Sequence, residues 1–144
     1  MQLCYWSIDK LPGLNQSEQD LLKNCGIDTT KDLLAKVHTP QAKQAFANQL
    51  QLNIKYINKW TALADLACIP SVGYEYCGLL LHSGIASIGQ LTRTPFHRLH
   101  RQIMRLQVAT MQRKDLCPPV EMVKQWIEEA KIIMRFSEKT QKYL

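Results

Sequence analysis

Shifted by 58 positions, the sequence falls on itself. Leu11, Pro12 and Leu14 meet Ile69, Pro70 and Val72; Leu21 and Leu22 meet Leu79 and Leu80; Gly26-Ile27 meets Gly84-Ile85; Leu33 meets Leu91. Past small insertions the correspondence resumes. Thr39-Pro40 pairs with Thr94-Pro95, and Ile54, Ile57, Trp60 and Ala64 pair with Val120, Val123, Trp126 and Ala130. Such agreement at apolar, Gly and Pro positions constrains the fold more than any other feature: the halves are expected to build the same unit twice.

The unit opens on a tight hairpin. Ile69-Pro70-Ser71-Val72-Gly73 places a Pro that cannot continue a preceding helix next to a Gly that accepts backbone angles a Cβ resists. The run before it, 53–68, carries Ile54, Ile57, Leu63, Leu66 and Ala67 at helical spacing, and the run after it, 74–83, stops at Gly84. Further helices are expected over 17–24 and 31–37, after the Thr39-Pro40 cap, over 95–112 and over 120–136. Nothing alternates with period two. The expected fold is all-α, a tandem helix-hairpin-helix duplication packed as one pseudo-twofold domain. Its parts are a lead-in (1–10), a first repeat (11–68), a second repeat (69–136) and a frayed tail (137–144). The last helix is expected to serve the first hairpin as the 53–68 helix serves the second, because the lead-in is too short to supply one.

With 46% hydrophobic and 21% charged residues, 144 residues suffice for a real core. No apolar run approaches the length of a membrane span, and the start lacks a basic region followed by a long apolar one, so neither a membrane nor a signal peptide is expected. Five scattered cysteines read as reduced thiols in the cytoplasm. The net charge of +6 is unevenly placed. Residues 76–114 contain no Asp or Glu but hold Arg93, Arg98, Arg101, Arg105, Arg113 and Lys114, while the twelve basic residues elsewhere balance the twelve acidic ones.

The stretches Leu63-Ala64-Asp65-Leu66, Pro70-Ser71-Val72-Gly73-Tyr74-Glu75-Tyr76, Leu79-Leu80, Gly84-Ile85, Leu99-His100 and Trp126-Ile127-Glu128 carry a resemblance. Over 8–134 the chain resembles the uncharacterised bacterial helix-hairpin-helix family catalogued as domain of unknown function 4332. The resemblance implies the tandem hairpin fold and, through the wider superfamily, DNA binding. Hairpins that bind DNA usually keep Gly-apolar-Gly so that two N–H groups can approach a phosphate. Here the turns read Gly13-Leu14-Asn15 and Ser71-Val72-Gly73, one glycine short in each, and Tyr74-Glu75 stands where a Lys would help. Gly13, Ser71 and Gly73 are therefore expected to contribute at most a secondary backbone contact.

The basic helix is the better candidate. At 100° per residue Arg98, Arg101 and Arg105 fall within about 60° of one another, with Phe96, Leu99, Ile103 and Leu106 opposite. Three guanidiniums in front of a packed back suit a nucleic-acid backbone, since each can contact phosphate through two donors. Arg93, Arg113 and Lys114 would extend the patch. His97 and His100 lack a third metal ligand at sensible spacing, and Trp60 and Trp126 are expected as core anchors. No catalytic constellation, metal site, cofactor motif or small-molecule site is visible. The expectation is a non-catalytic protein that binds nucleic acid, DNA ahead of RNA, without sequence preference. The alternative is an adaptor whose hairpins are scaffold and whose arginines meet an acidic protein surface.

Overall fold

Short polar side chains set where most of the helices begin. In a computed structural model of the chain, which describes residues 3–111 and 117–142, the Asn15 side chain accepts the Glu18 N–H while the Glu18 carboxylate accepts the Asn15 N–H. Two donors that a helix start leaves orphaned are thereby satisfied, and α1 (Gln16–Asn24) follows. Thr29 and Asp32 make the same reciprocal pair ahead of α2 (Thr30–Lys36). Thr39 caps α3 (Pro40–Leu50), whose first residue is proline, and Asn53 caps α4 (Ile54–Ala67). The helix α5 (Gly73–His82) starts without a side-chain cap, Ser87 caps α6 (Ile88–Thr92), and α7 (Phe96–Met111) and α8 (Val120–Lys142) complete the order. Among the described residues the fold is all-helical, with one isolated antiparallel bridge between Ser7 and Thr29.

Helices α1 and α5 end alike. The Ile27 N–H returns to the Leu22 carbonyl and the Ile85 N–H to the Leu80 carbonyl, both at 3.0 Å. The core is one continuous cluster with Trp60 and Trp126 fully buried, joined by Phe46, Leu33, Ile57, Leu80, Leu91, Leu99 and Ile103. Each such side chain contributes on the order of 2 kcal/mol by leaving water. Helix α4 lies against α2, α3 and α5, and α8 against α6 and α7.

Three features depart from the sequence-based expectation. The last helix closes onto the second hairpin: the Trp126 indole N–H donates to the Ser71 carbonyl, and Glu129 accepts from Ser71. It is α4 that stands beside the first hairpin, where the Lys59 ammonium lies 3.2 Å from the position a Gly13 Cβ would take. The backbone of α8 stays helical past Phe136 through Lys142, so the tail continues the helix. Third, the lead-in is a strap. Cys4 N–H donates to Cys68 O, the Trp6 N–H donates to the Thr30 hydroxyl while the Thr30 N–H donates to Trp6 O, the Trp6 indole N–H donates to Ala67 O at 2.7 Å, and Ile8 N–H donates to Asp28 O. Five residues thus tie the end of α4 to the start of α2.

Candidate functional site

Helix α7 is positioned by its apolar side. Leu99 and Ile103 are fully buried, with Phe96 and Leu106 half-buried beside them. That fixes the rotation of the helix and leaves Arg98, Arg101 and Arg105 exposed on the other face, along about 10 Å of axis. Arg93, in the turn after α6, is exposed as well. None of these four guanidiniums meets a carboxylate within ion-pair distance among the described residues. Arg113 and Lys114 lie outside the described residues.

Two clefts open along this surface and share Arg93. One, of about 230 Å³, is lined by the Ser83-Gly84-Ile85 turn, Gln90, Arg93, Thr94, Pro95, Arg98 and Gln102. Several of its polar groups are already engaged within the fold. The Gln90 amide spans Ala86 N–H and Gly84 O, Ser83 Oγ donates to Leu79 O, and Thr94 Oγ1 donates to Gln90 O. Its remaining side-chain donors are the Arg93 and Arg98 guanidiniums and the Gln102 amide. The other cleft lies between α6 and α8, against Gly89, Thr92, Arg93, Lys131, Met134 and Arg135. Among the described residues no acid lines either cleft.

The hairpins are differently occupied. At the second, the Ser71 N–H donates to Glu129 Oε1 at 2.9 Å, the Ser71 hydroxyl donates to Glu129 Oε2, and Gln125 donates to Ser71 Oγ. A carboxylate of the chain itself, only 6% exposed, therefore holds the backbone donor that a phosphate would need. Gly73 is buried under the Trp6 ring, and Glu75 lines the small depression above the hairpin. At the first hairpin Gly13 is exposed, and α1 is closed by its own Asn15–Glu18 pair.

The remaining reactive groups are quiet. Burial pushes the Cys68 thiol up to about 12 and the Cys77 thiol up to about 11, so both stay protonated at neutral pH. All five cysteines are unpaired. His97 stacks on Phe96, and the His100 ring nitrogen sits 3.1 Å from the Pro118 carbonyl oxygen. Among the described residues no three His, Cys, Asp or Glu side chains gather around a common point. Nor is any helix there long and apolar enough to cross a membrane.

Sequence reasoning missed Glu129, Lys131 and Arg135. Glu129 had a signal. With Trp60 set against Trp126, Glu129 falls opposite Leu63, a fully buried core residue, and a carboxylate at a core position implies a partner. Lys131 and Arg135 carried none, because only the approach of α8 to α6 brings them to Arg93.

A family profile described as domain of unknown function (DUF4332) matches residues 12–133. No curated protein and no solved structure matches the chain.

Proposed function

Because the chain belongs to the DUF4332 family, whose function is unknown, we propose its role from its own side chains: non-catalytic, sequence-independent binding of a nucleic-acid backbone, DNA ahead of RNA. The observation that carries the reading is the set Arg93, Arg98, Arg101 and Arg105, exposed and unopposed by carboxylates among the described residues. Guanidinium suits this work because its charge does not titrate near neutral pH and its planar fork matches phosphate oxygens. The scaffold would be a doubled helix-hairpin-helix with pseudo-twofold symmetry, supported by the matching ends of α1 and α5 and by burial at positions 58 apart. Five unpaired thiols fit a reducing cytoplasm.

Fluorescence anisotropy on a labelled 20-mer duplex and on a single strand tests the reading. About five phosphate contacts give a slope of about −4 to −5 in log K against log salt. Arg98→Glu/Arg101→Glu should abolish binding at low salt. Absence of binding by the unaltered protein to both probes overturns the proposal. A second reading, an adaptor for an acidic protein surface, draws support from Glu129, which already fills the second hairpin. Partners that survive nuclease treatment in a pull-down, and disappear with the same double substitution, would favour it.

A further inference from the structure

Resting on that reading, the structure assigns a second arm to the binding surface. We propose that the polyanion path turns at Arg93 from α7 into the cleft between α6 and α8, where Lys131 and Arg135 take further phosphates. The cleft is larger than its neighbour, about 460 Å³ against about 230 Å³. Among the described residues, three of the six that line it are cationic and none is acidic. Lys131 and Arg135 stand one helical turn apart on α8, so their head groups converge on one opening. Among the described residues Lys131 has one acidic neighbour, Glu128, at 3.9 Å, with both side chains well exposed. An exposed pair of that length is worth a few tenths of a kcal/mol at most and yields readily to phosphate. Gly89 lines the cleft without a side chain, and a Cβ there would meet nothing closer than Met134 Cε at 3.8 Å.

Arg93 is the joint because it lines both clefts. The two rows lie on different helices, α7 and α8, held together by their direct packing. A path over both rows engages more phosphates than the α7 row alone, so α8 should show in the salt dependence as well as in the affinity. Neither residue belongs to the hairpins, and both lie in the second half of the chain, outside the acid-free stretch 76–114.

The test compares Lys131→Gln/Arg135→Gln, Lys131→Arg/Arg135→Lys and Gly89→Glu with the unaltered full chain. The probe is the same labelled 20-mer duplex across a salt series, with thermal melts to confirm folding. The Gln pair should weaken binding roughly tenfold or more near 0.1 M salt and make the slope shallower by about 2, from two lost phosphate contacts. The charge-conserving pair should keep both affinity and slope. Gly89→Glu, which leaves every cation in place but plants a carboxylate in the cleft, should weaken binding while α7 is untouched. If the Gln pair and Gly89→Glu keep parental affinity and slope while Arg98→Glu/Arg101→Glu loses binding, the α8 arm is wrong and the α7 reading stands. If the unaltered protein does not bind, both fall together.

Discussion

The two hairpins start from the same pattern, an apolar residue, Pro, a small residue and a second apolar residue, and are closed by opposite means. In the first, Gly13 takes the positive φ of 81°, and the turn is finished within a few residues by the Asn15–Glu18 pair. In the second, the positive φ moves to Gly73, at 53°, and α5 starts with no side-chain cap. Its closure comes from afar. Glu129 and Trp126 reach Ser71 across more than 50 residues of sequence, and Trp6 covers Gly73 and stands edge-on to Tyr74 at 4.9 Å. One glycine displaced by two positions separates a turn that closes locally from one that is held by the tertiary fold. The first should therefore persist when remote contacts are cut, and the second should not.

Trp6→Ala puts the largest strain on that contrast. It removes the ring over Gly73 and the indole bond to Ala67, and is expected to cost about 3 kcal/mol, read as a lowered urea midpoint. Hydrogen exchange should rise at α5 more than at α1; equal rises would erase the distinction between the turns. Glu129→Ala comes next. It leaves the Ser71 N–H without its acceptor, for about 2 kcal/mol, with Glu129→Gln recovering part of the loss. Glu18→Ala, which cuts the equivalent local closure, should cost only about 1 kcal/mol. A larger loss from Glu18 than from Glu129 would invert the comparison.

The smallest effect concerns pH. The Ile88 N–H is accepted by Asp65 Oδ2 at 3.0 Å, and the Thr30 N–H, 58 positions earlier, by the Trp6 carbonyl. Burial raises the Asp65 pKa above its ordinary 3.8, outweighing the Ile88 hydrogen bond and the attraction of Lys43. A raised carboxylate pKa means the folded state holds the proton more tightly than the unfolded state does. Its contribution to stability therefore declines as pH climbs from 3.8 through the raised value. Asp32, held below its ordinary value by the Asp28 and Thr29 N–H groups, acts in the opposite sense and loses its contribution as pH falls through its lowered pKa. Asp65→Asn keeps an oxygen for Ile88 and should leave stability at pH 7 unchanged or slightly raised. Denaturant midpoints from pH 4 to 7 should then lose the Asp65 component; a marked loss of stability at neutral pH would show that the charge itself is needed.

What could be read from the chain beforehand follows the range of the forces involved. Caps at Thr39 and Asn53, the stop at Gly84 and the outward set of Arg98, Arg101 and Arg105 depend on residues within a turn or two, and spacing reports them. The partner of α8 depends on which hairpin a 23-residue helix reaches, and periodicity says nothing of that. The strap at Trp6 was hidden for the same reason. A ten-residue lead-in too short for a helix can still thread between two helices when its backbone donors find Asp28 and Cys68. The candidate site was half legible: α7 stands out through missing acids, whereas Lys131 comes two residues after Glu129 and three after Glu128, where the local charge is balanced.

Glu129 has a further consequence. A carboxylate fixed on a packed helix meets the Ser71 N–H as an intramolecular group, and even loosely linked groups reach effective concentrations on the order of millimolar. The second turn thus carries a resident anion as part of its covalent chain, and an incoming polyanion is a latecomer to an occupied seat. Any polyanion affinity of this scaffold is therefore expected on helix faces and not at the second turn, since exposed side chains on those faces can be exchanged one at a time without unlocking the fold.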